Sequence, residues 1–472
     1  MRQAAGIVGM FAALALPCHA GWARQSITMW FWGATPYYRQ ALEEALVKPF
    51  NASQSDYELI IEYRPSVDND VRVALMGGAG PDLVYASGPS DVASLARAGK
   101  LAPLDTYARR RGWVERLQAP LLASCMSDGH LYCLPLSQEA DGLFYNKAVL
   151  SKYGWQVPRT KAEVESIMVQ AQAVGLYASV TGNKRWQPVN ENYSSIFLNQ
   201  ALGPVNMTCL VSGRTRWDSP RVVQALTDLR SWFQRGFLGN QDYFALDFDL
   251  SLLLFKEGRS PFFFAPTILF QWAPKYFTGD EAQVIGFAPV PQFTAASVYP
   301  FFDIGAAFTY SINARSKVKE GAAQVLEMML SARFITRIAK LWPGYWAPPL
   351  KEFPDDPAAS SLGRLFYAAT AEVSRAVATG AYGYRVGTFL PPATKDVFIK
   401  DVEAMWLDQE TPAQLLAKAQ RTFSHEQSLG LVRPLSGPVL RPLSGPVSVP
   451  TSGTVPGTLG SCPPILAAEG AQ

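Results

Sequence analysis

The chain has 472 residues, 48% hydrophobic and 17% charged, with a net charge of +3. That length and apolar content suffice for two globular domains with cores of their own. A charge so close to neutral gives no sign of nucleic-acid binding or of electrostatic attachment to an anionic membrane.

Residues 1–23 read as a secretory signal peptide: Arg2 supplies the positive start, and Ala4 to Leu16 is an apolar run too short for a comfortable membrane span. Cleavage is expected after Ala20 or after Ala23, giving an exported, periplasmic protein. Ile27 to Trp32 is a β-branched and aromatic run suited to a first buried strand, and Tyr57 to Arg64 is a second. Between them Tyr38 to Phe50 has helical spacing. Asp68 to Met76 is helical up to a Gly77-Gly78 cap, and Ser90 to Arg97 is a helix. Strand and helix alternating in this way predict a parallel sheet with helices on both faces. Ligands of such sheets bind beyond the carboxyl ends of the strands, which places Trp32 to Thr35, Ser87 to Asp91 and Ser137 to Asp141 on one rim.

Asp128-Gly129 is a turn dipeptide, followed by a strand through Leu134 that Pro135 ends. A second apolar run, Leu143 to Tyr145, follows the polar and acidic Ser137 to Gly142. A polar break between two strands suits a chain crossing between lobes and presenting side chains to a cleft. Cys125 and Cys133 flank the turn. An odd-length loop would set them directly opposite each other, so a disulfide between them is expected in an oxidising compartment. Farther on, Asn183 to Tyr193 reads as a polar loop. Helices are expected over Pro158 to Leu176, Val222 to Gly236, Lys319 to Leu330, Ala359 to Thr379 and Ala393 to Phe423, and strands over Val284 to Val290 and Phe301 to Asn313. From Leu429 onward the composition turns to Pro, Ser, Gly and Thr, with RPLSGPV at Arg433 to Val439 recurring at Arg441 to Val447. Residues 429–472 are therefore expected to form a disordered tail. One qualification is Cys462, which could pair with Cys209 and tie the tail down.

Several of these segments together resemble the family 1 extracellular solute-binding proteins, the maltose-binding-protein-like carbohydrate receptors of bacterial ABC importers. The matching pieces are Gly80-Pro81-Asp82-Leu83, Gly99 to Asp105, Asp128-Gly129, Leu134-Pro135, the polar crossing, Tyr145-Asn146-Lys147, Lys319 to Leu330 and the turn around Gly344. The resemblance covers roughly residues 25–425. It implies an α/β, two-lobed periplasmic-binding-protein fold (type II-like), each lobe a mainly parallel sheet flanked by helices, with the ligand cleft between the lobes. Residues 24–137 plus about 295–340 would form the N-terminal lobe, and 138–294 plus about 341–428 the C-terminal lobe. It departs from the family at Phe302-Asp303-Ile304-Gly305, where a Gly pair is expected.

The resemblance also implies a function: a receptor that binds a sugar, acts as a monomer and delivers its load to permease subunits in the inner membrane, without a cofactor. A pyranose needs carboxylates and amides for its hydroxyls and an aromatic ring for its CH face. Glu139 matches the family's acidic ligand residue, with Asp141 beside it. Asp303 has either a partner or a ligand. For aromatics the candidates are Trp32, Trp186, Trp272, Trp342 and Trp346, each as suited to a core as to stacking, and Ser87 sits on the rim. Other polar solutes, such as a phosphate ester or polyamine, and a ligand-sensing role beside a signalling kinase, remain open. An enzyme is not expected. The three histidines are His19, His130 and His425, which excludes most triads and zinc sites.

Overall fold

In the computed structural model, residues 24–433, 435 and 462 are described. The proposed leader, residues 1–23, and most of the proposed tail lie outside them. The strands, in chain order, are β1 Gln25–Trp32, β2 Tyr57–Arg64, β3 Leu83–Ala86, β4 Met126–Ser127, β5 His130–Leu131 and β6 Cys133–Pro135. They continue with β7 Gln138–Asn146, β8 Phe262–Pro266, β9 Ile285–Pro289, β10 Phe302–Ala306, β11 Thr309–Ile312 and β12 Tyr382–Tyr384.

Two five-stranded sheets form the two lobes. The first has the order β2-β1-β3-β11-β6; the second runs β12-β10-β7-β8, with β9 also on β7. In the first, β1, β2, β3 and β6 point one way and β11 the other. In the second, β8, β9, β10 and β12 point one way and β7 the other. Each lobe is thus a parallel set interrupted by one antiparallel strand, and that strand is the one arriving from the other lobe. The reason is geometric. Strands of a lobe end at the cleft, so a strand that has just crossed must start there and run away from it.

The crossing points lie side by side. Ala307 N donates to Ser137 O (3.0 Å), Leu136 N to Phe308 O (3.2 Å) and Gln138 N to Ala347 O (2.6 Å). This corrects two expected lobe boundaries. The return crossing is at 307–308 and not near 295, because β10 pairs with β7 and β12 in the second sheet. The last crossing comes after Trp346, which with Trp342 and Leu350 packs in the first lobe's core; by Ala359 and Leu362 the chain packs in the second.

Local rules explain the elements. β1 buries alternate residues, Ile27, Met29 and Phe31, as a strand with one face on a core must. Asn146 caps its helix by accepting from Val149 N, and Thr160 forms a capping box with Glu163. The proposed loop 183–193 is corrected. Its second half opens the helix Val189–Val211, whose polar residues Asn190, Glu191 and Asn192 are buried. Polarity there reflects an internal hydrogen-bond network, which a reading by hydropathy mistakes for a surface loop.

Cys125 and Cys133 are joined, with Cα atoms 5.0 Å apart. The reason differs from the expected one. The turn is a two-residue loop with Ser127 opposite His130, so Cys125 faces Tyr132, whose N–H donates to Cys125 O. The chain bends out of that ladder into β6, which brings Cys133 within bonding range. Cys209 and Cys462 are joined as well, Cα to Cα 6.1 Å. The undocked tail is corrected where it is described: Leu435 sits in the second lobe's core, and Arg433 is buried.

Candidate ligand cleft

A cavity of about 520 Å³ lies between the lobes, beyond the carboxyl ends of their parallel strands. The first lobe contributes Trp32 from the end of β1, Tyr85 and Ser87 from the end of β3, and Tyr345. The second contributes Glu139 from the start of β7, Glu191 and Asn192 from the first turn of their helix, Trp186, Gln271, Trp272, and Arg385 just past β12.

On the first wall, Trp32 Nε1 donates to Tyr345 Oη (2.7 Å), which lies 3.3 Å from Tyr85 Oη. Behind them Trp342 stacks on Tyr345 at 4.4 Å between ring centroids, and on Tyr38 at 4.1 Å. Trp346 stacks on Phe31. Trp342 and Trp346 are therefore buried backing for the wall, which corrects their expected place in the cleft. On the opposite side Trp186 and Trp272 stand 6.2 Å apart, their planes at 62°. Trp186 is solvent-exposed, as a ring awaiting a partner can be.

The floor is a cluster of charges around Arg385. Its guanidinium donates to Asp141 Oδ1 (3.2 Å), Glu191 Oε2 (2.7 Å) and Asn192 Oδ1 (2.6 Å), and its Nε lies 3.5 Å from Glu139 Oε1. Asp303 Oδ1 accepts from the Asp141 backbone N–H (3.0 Å). Asp141 and Asp303 are buried and do not line the cavity, which corrects the expected place of Asp141 and, of the two roles open to Asp303, gives it the partner and not the ligand. Asp141 shares a face of β7 with Glu139 but stands one residue pair farther from the crossing, where Arg385 and β10 cover it. Ser87 and Glu139 do line the cavity, together with Trp32, Trp186 and Trp272.

Four carboxylates around one guanidinium cannot all ionise out of water. Burial pushes Glu139 up to about 7, against the attraction of Arg385, with Glu191 and Asp141 adding repulsion. Burial likewise raises Asp303 to about 6 and Asp141 well above its usual range. Arg385 feels the same burial, but the surrounding carboxylates hold it cationic. Glu191 is tied further, accepting from Ser195 Oγ (2.6 Å) and Gly387 N (2.8 Å).

Gly305, the single glycine where a pair was expected, has a structural role here. A Cβ at that position would lie 2.5 Å from Thr388 Oγ1 and 2.8 Å from Arg385 Cδ. Gly305 thus lets Arg385 reach the floor. Sequence reasoning missed Arg385, Glu191, Asn192, Tyr85 and Tyr345. The one signal for Arg385 was indirect: buried carboxylates on β7 and β10 require a cation, and none stands near them in sequence.

Residues 34–333 match the family described as bacterial extracellular solute-binding protein. The chain belongs to that family. Among curated relatives, this solute-binding protein is 29% identical over 153 residues to a maltotriose-binding protein of Pyrococcus abyssi, 32% of this chain and 29% of the relative. It is 30% identical over 197 residues to a probable sugar-binding periplasmic protein of Brucella melitensis, 40% of this chain and 44% of the relative. The matches thus span less than half the length of these relatives. Among solved structures, a chitin oligosaccharide binding protein superposes with a TM-score of 0.71 at 18% identity, covering 85% of this chain and all of that one. The GacH receptor of Streptomyces glaucescens gives 0.64 at 17% identity, covering 87% of this chain and 100% of its own. Identities this low speak for the fold: two-lobed α/β, with the cleft between the lobes.

Proposed function

We propose that this protein is an exported receptor that binds a sugar in the interlobe cleft and delivers it to the permease of an ABC importer. The observation that carries the reading is the composition of the cleft: aromatic rings on both walls, and a carboxylate, an amide and a guanidinium at the floor. Trp32 and Tyr345 on one side and Trp186 and Trp272 on the other offer faces for pyranose CH groups. Glu139 accepts from sugar hydroxyls. Asn192 Nδ2, which has no hydrogen-bond partner among the described residues, donates to them. The names of the relatives agree, since the curated ones are sugar- or maltotriose-binding proteins.

Binding closes the lobes about the paired crossings, and the closed form is what the permease recognises. Export removes the leader after Ala20 or Ala23, and the receptor works as a monomer. Among the described residues no helix is long and apolar enough to cross a membrane. A polyamine would need acidic groups free to meet its amines. Glu139 and Glu191, the carboxylates that line the cavity, are instead engaged by Arg385.

The test is a thermal-shift screen of mono- and oligosaccharides on the mature protein, with spermidine and a sugar phosphate as comparisons, followed by titration calorimetry on the best ligand. At least one neutral saccharide should raise the Tm by several degrees. A shift with spermidine alone, or with none of the saccharides, would overturn the proposal.

A further inference from the structure

The segment after the last helix does more than end the chain. Arg97 Nη1 donates to Leu429 O (2.6 Å), holding its start against the first lobe. Leu435 then packs into the second lobe's core, and Arg214 donates to its carbonyl (3.1 Å). Cys462 is bonded to Cys209 in the helix Val189–Val211. Between these anchors lies Arg433, with its side chain buried.

Its guanidinium bridges the lobes. Nη2 donates to Pro89 O, in the loop that follows β3 on the first lobe, and Nη1 to Thr388 O (3.2 Å) on the second. Beside it Ser90 Oγ donates to Gly387 O (3.3 Å), a second link between the same two loops. Both loops belong to the cleft and to the hinge. Ser87, Gly387 and Thr388 line the cavity. Thr388 Oγ1 accepts from Ala306 N (3.0 Å), one residue before the crossing, and a Cβ at Gly88 would lie 3.2 Å from Ala306 O. Burial lowers the guanidinium to about 10, with Asp91 opposing, so it stays charged at neutral pH and both links are charge-assisted.

We infer that Arg433 is a positioning residue of the cleft: it clasps the two lobes beside the hinge and sets how far they part. The inference rests on the reading of the cleft as the ligand site. Opening moves the 87–91 loop away from 387–388 and breaks the Arg433 links. The clasp therefore favours the closed ensemble before ligand arrives, and a ligand pays correspondingly less to close it.

The test compares the mature wild type with Arg433→Met, which keeps the aliphatic stem but can make neither link, and Arg433→Lys, which keeps the charge. Small-angle scattering without ligand should give a larger radius of gyration for Arg433→Met, and amide exchange at residues 305–309 should quicken. Affinity for the saccharide chosen by the screen should fall about tenfold, with Arg433→Lys recovering part of each effect. A lower Tm with unchanged scattering, hinge exchange and affinity would make Arg433 a purely structural residue and overturn the inference. If Arg433→Met does not fold, Arg433→Lys is compared with wild type by the same criteria, a partial change supporting the clasp and no change overturning it. If no saccharide binds even the wild type, the sugar reading fails, while scattering and exchange still decide on the clasp.

Discussion

Glu139 and Asp141 are two residues apart on one strand, yet the fold gives them different work. Glu139 faces the cleft with its carboxylate at the edge of the Arg385 cluster; Asp141 lies beneath, against Asp303. Glu139→Gln should weaken saccharide binding at pH 8, where Glu139 is ionised, by ten- to a hundredfold, about 1–3 kcal/mol for a lost charge-assisted acceptor, with the fold intact. Asp141→Asn should leave affinity nearly unchanged in calorimetry on the same ligand. Equal losses in both would mean that the cluster acts as one unit and that Glu139 has no separate contact. The same residues predict a pH dependence. Glu139 is raised from 4.5 to about 7 by burial, so between those values the folded chain keeps a proton that the unfolded chain releases. Stability must then fall as pH rises through that window, on the order of 3 kcal/mol from Glu139 alone, with Asp303 adding in the same direction up to about 6. Melting of the ligand-free protein should occur at a higher temperature at pH 5.5 than at pH 8. Glu139→Gln should flatten that slope; a slope unchanged by the substitution would assign the protons elsewhere.

At the scale of elements, the two disulfides differ in what they constrain. Cys125–Cys133 spans 8 residues, and the loop-entropy estimate for so short a ring is about 2–3 kcal/mol. Cys209–Cys462 spans 253, for which the same estimate is on the order of 5 kcal/mol. A chain ending at Leu429 loses that link, the buried Leu435 and the Arg433 bridge together. Its thermal unfolding under non-reducing conditions should begin well below that of the full chain. An unchanged Tm would show that the segment contributes nothing to the folded body. The helix Val189–Val211 makes a related point, because its polar first turn is where the second lobe keeps the partners of Arg385.

For the whole molecule, the paired crossings at 136–138 and 306–308 join the lobes by hydrogen-bonded extended backbone, with Leu136 and Phe308 anchored in the first lobe's core and Ala306 in the second's, so the lobes can turn about the peptides between these anchors. Saturating saccharide should therefore reduce the radius of gyration measured by scattering most clearly in Arg433→Met, whose lobes part more before binding, while Cys125–Cys133 and both cores stay unchanged. Tight binding to Arg433→Met with no compaction would mean that its lobes do not part without ligand.

Periodicity was enough to read β1, β2 and the helix Lys319–Met329, because these depend on neighbours within a few residues. The acidic crossing and three of the five proposed tryptophans could also be found, since a polar break between strands is a local signal. What the sequence could not determine was which polar groups share a site. Arg385 lies 246 residues from Glu139 in the chain, and only the pairing of β12 with β10 and of β10 with β7 brings the two within 3.5 Å. The same holds for Trp342 and Trp346, whose burial depends on which lobe the last crossing leaves them in, and for Arg433, whose composition-poor surroundings hid a residue that touches both lobes. Hydropathy registers what a segment avoids; the partner a buried charge finds is decided by long-range strand order.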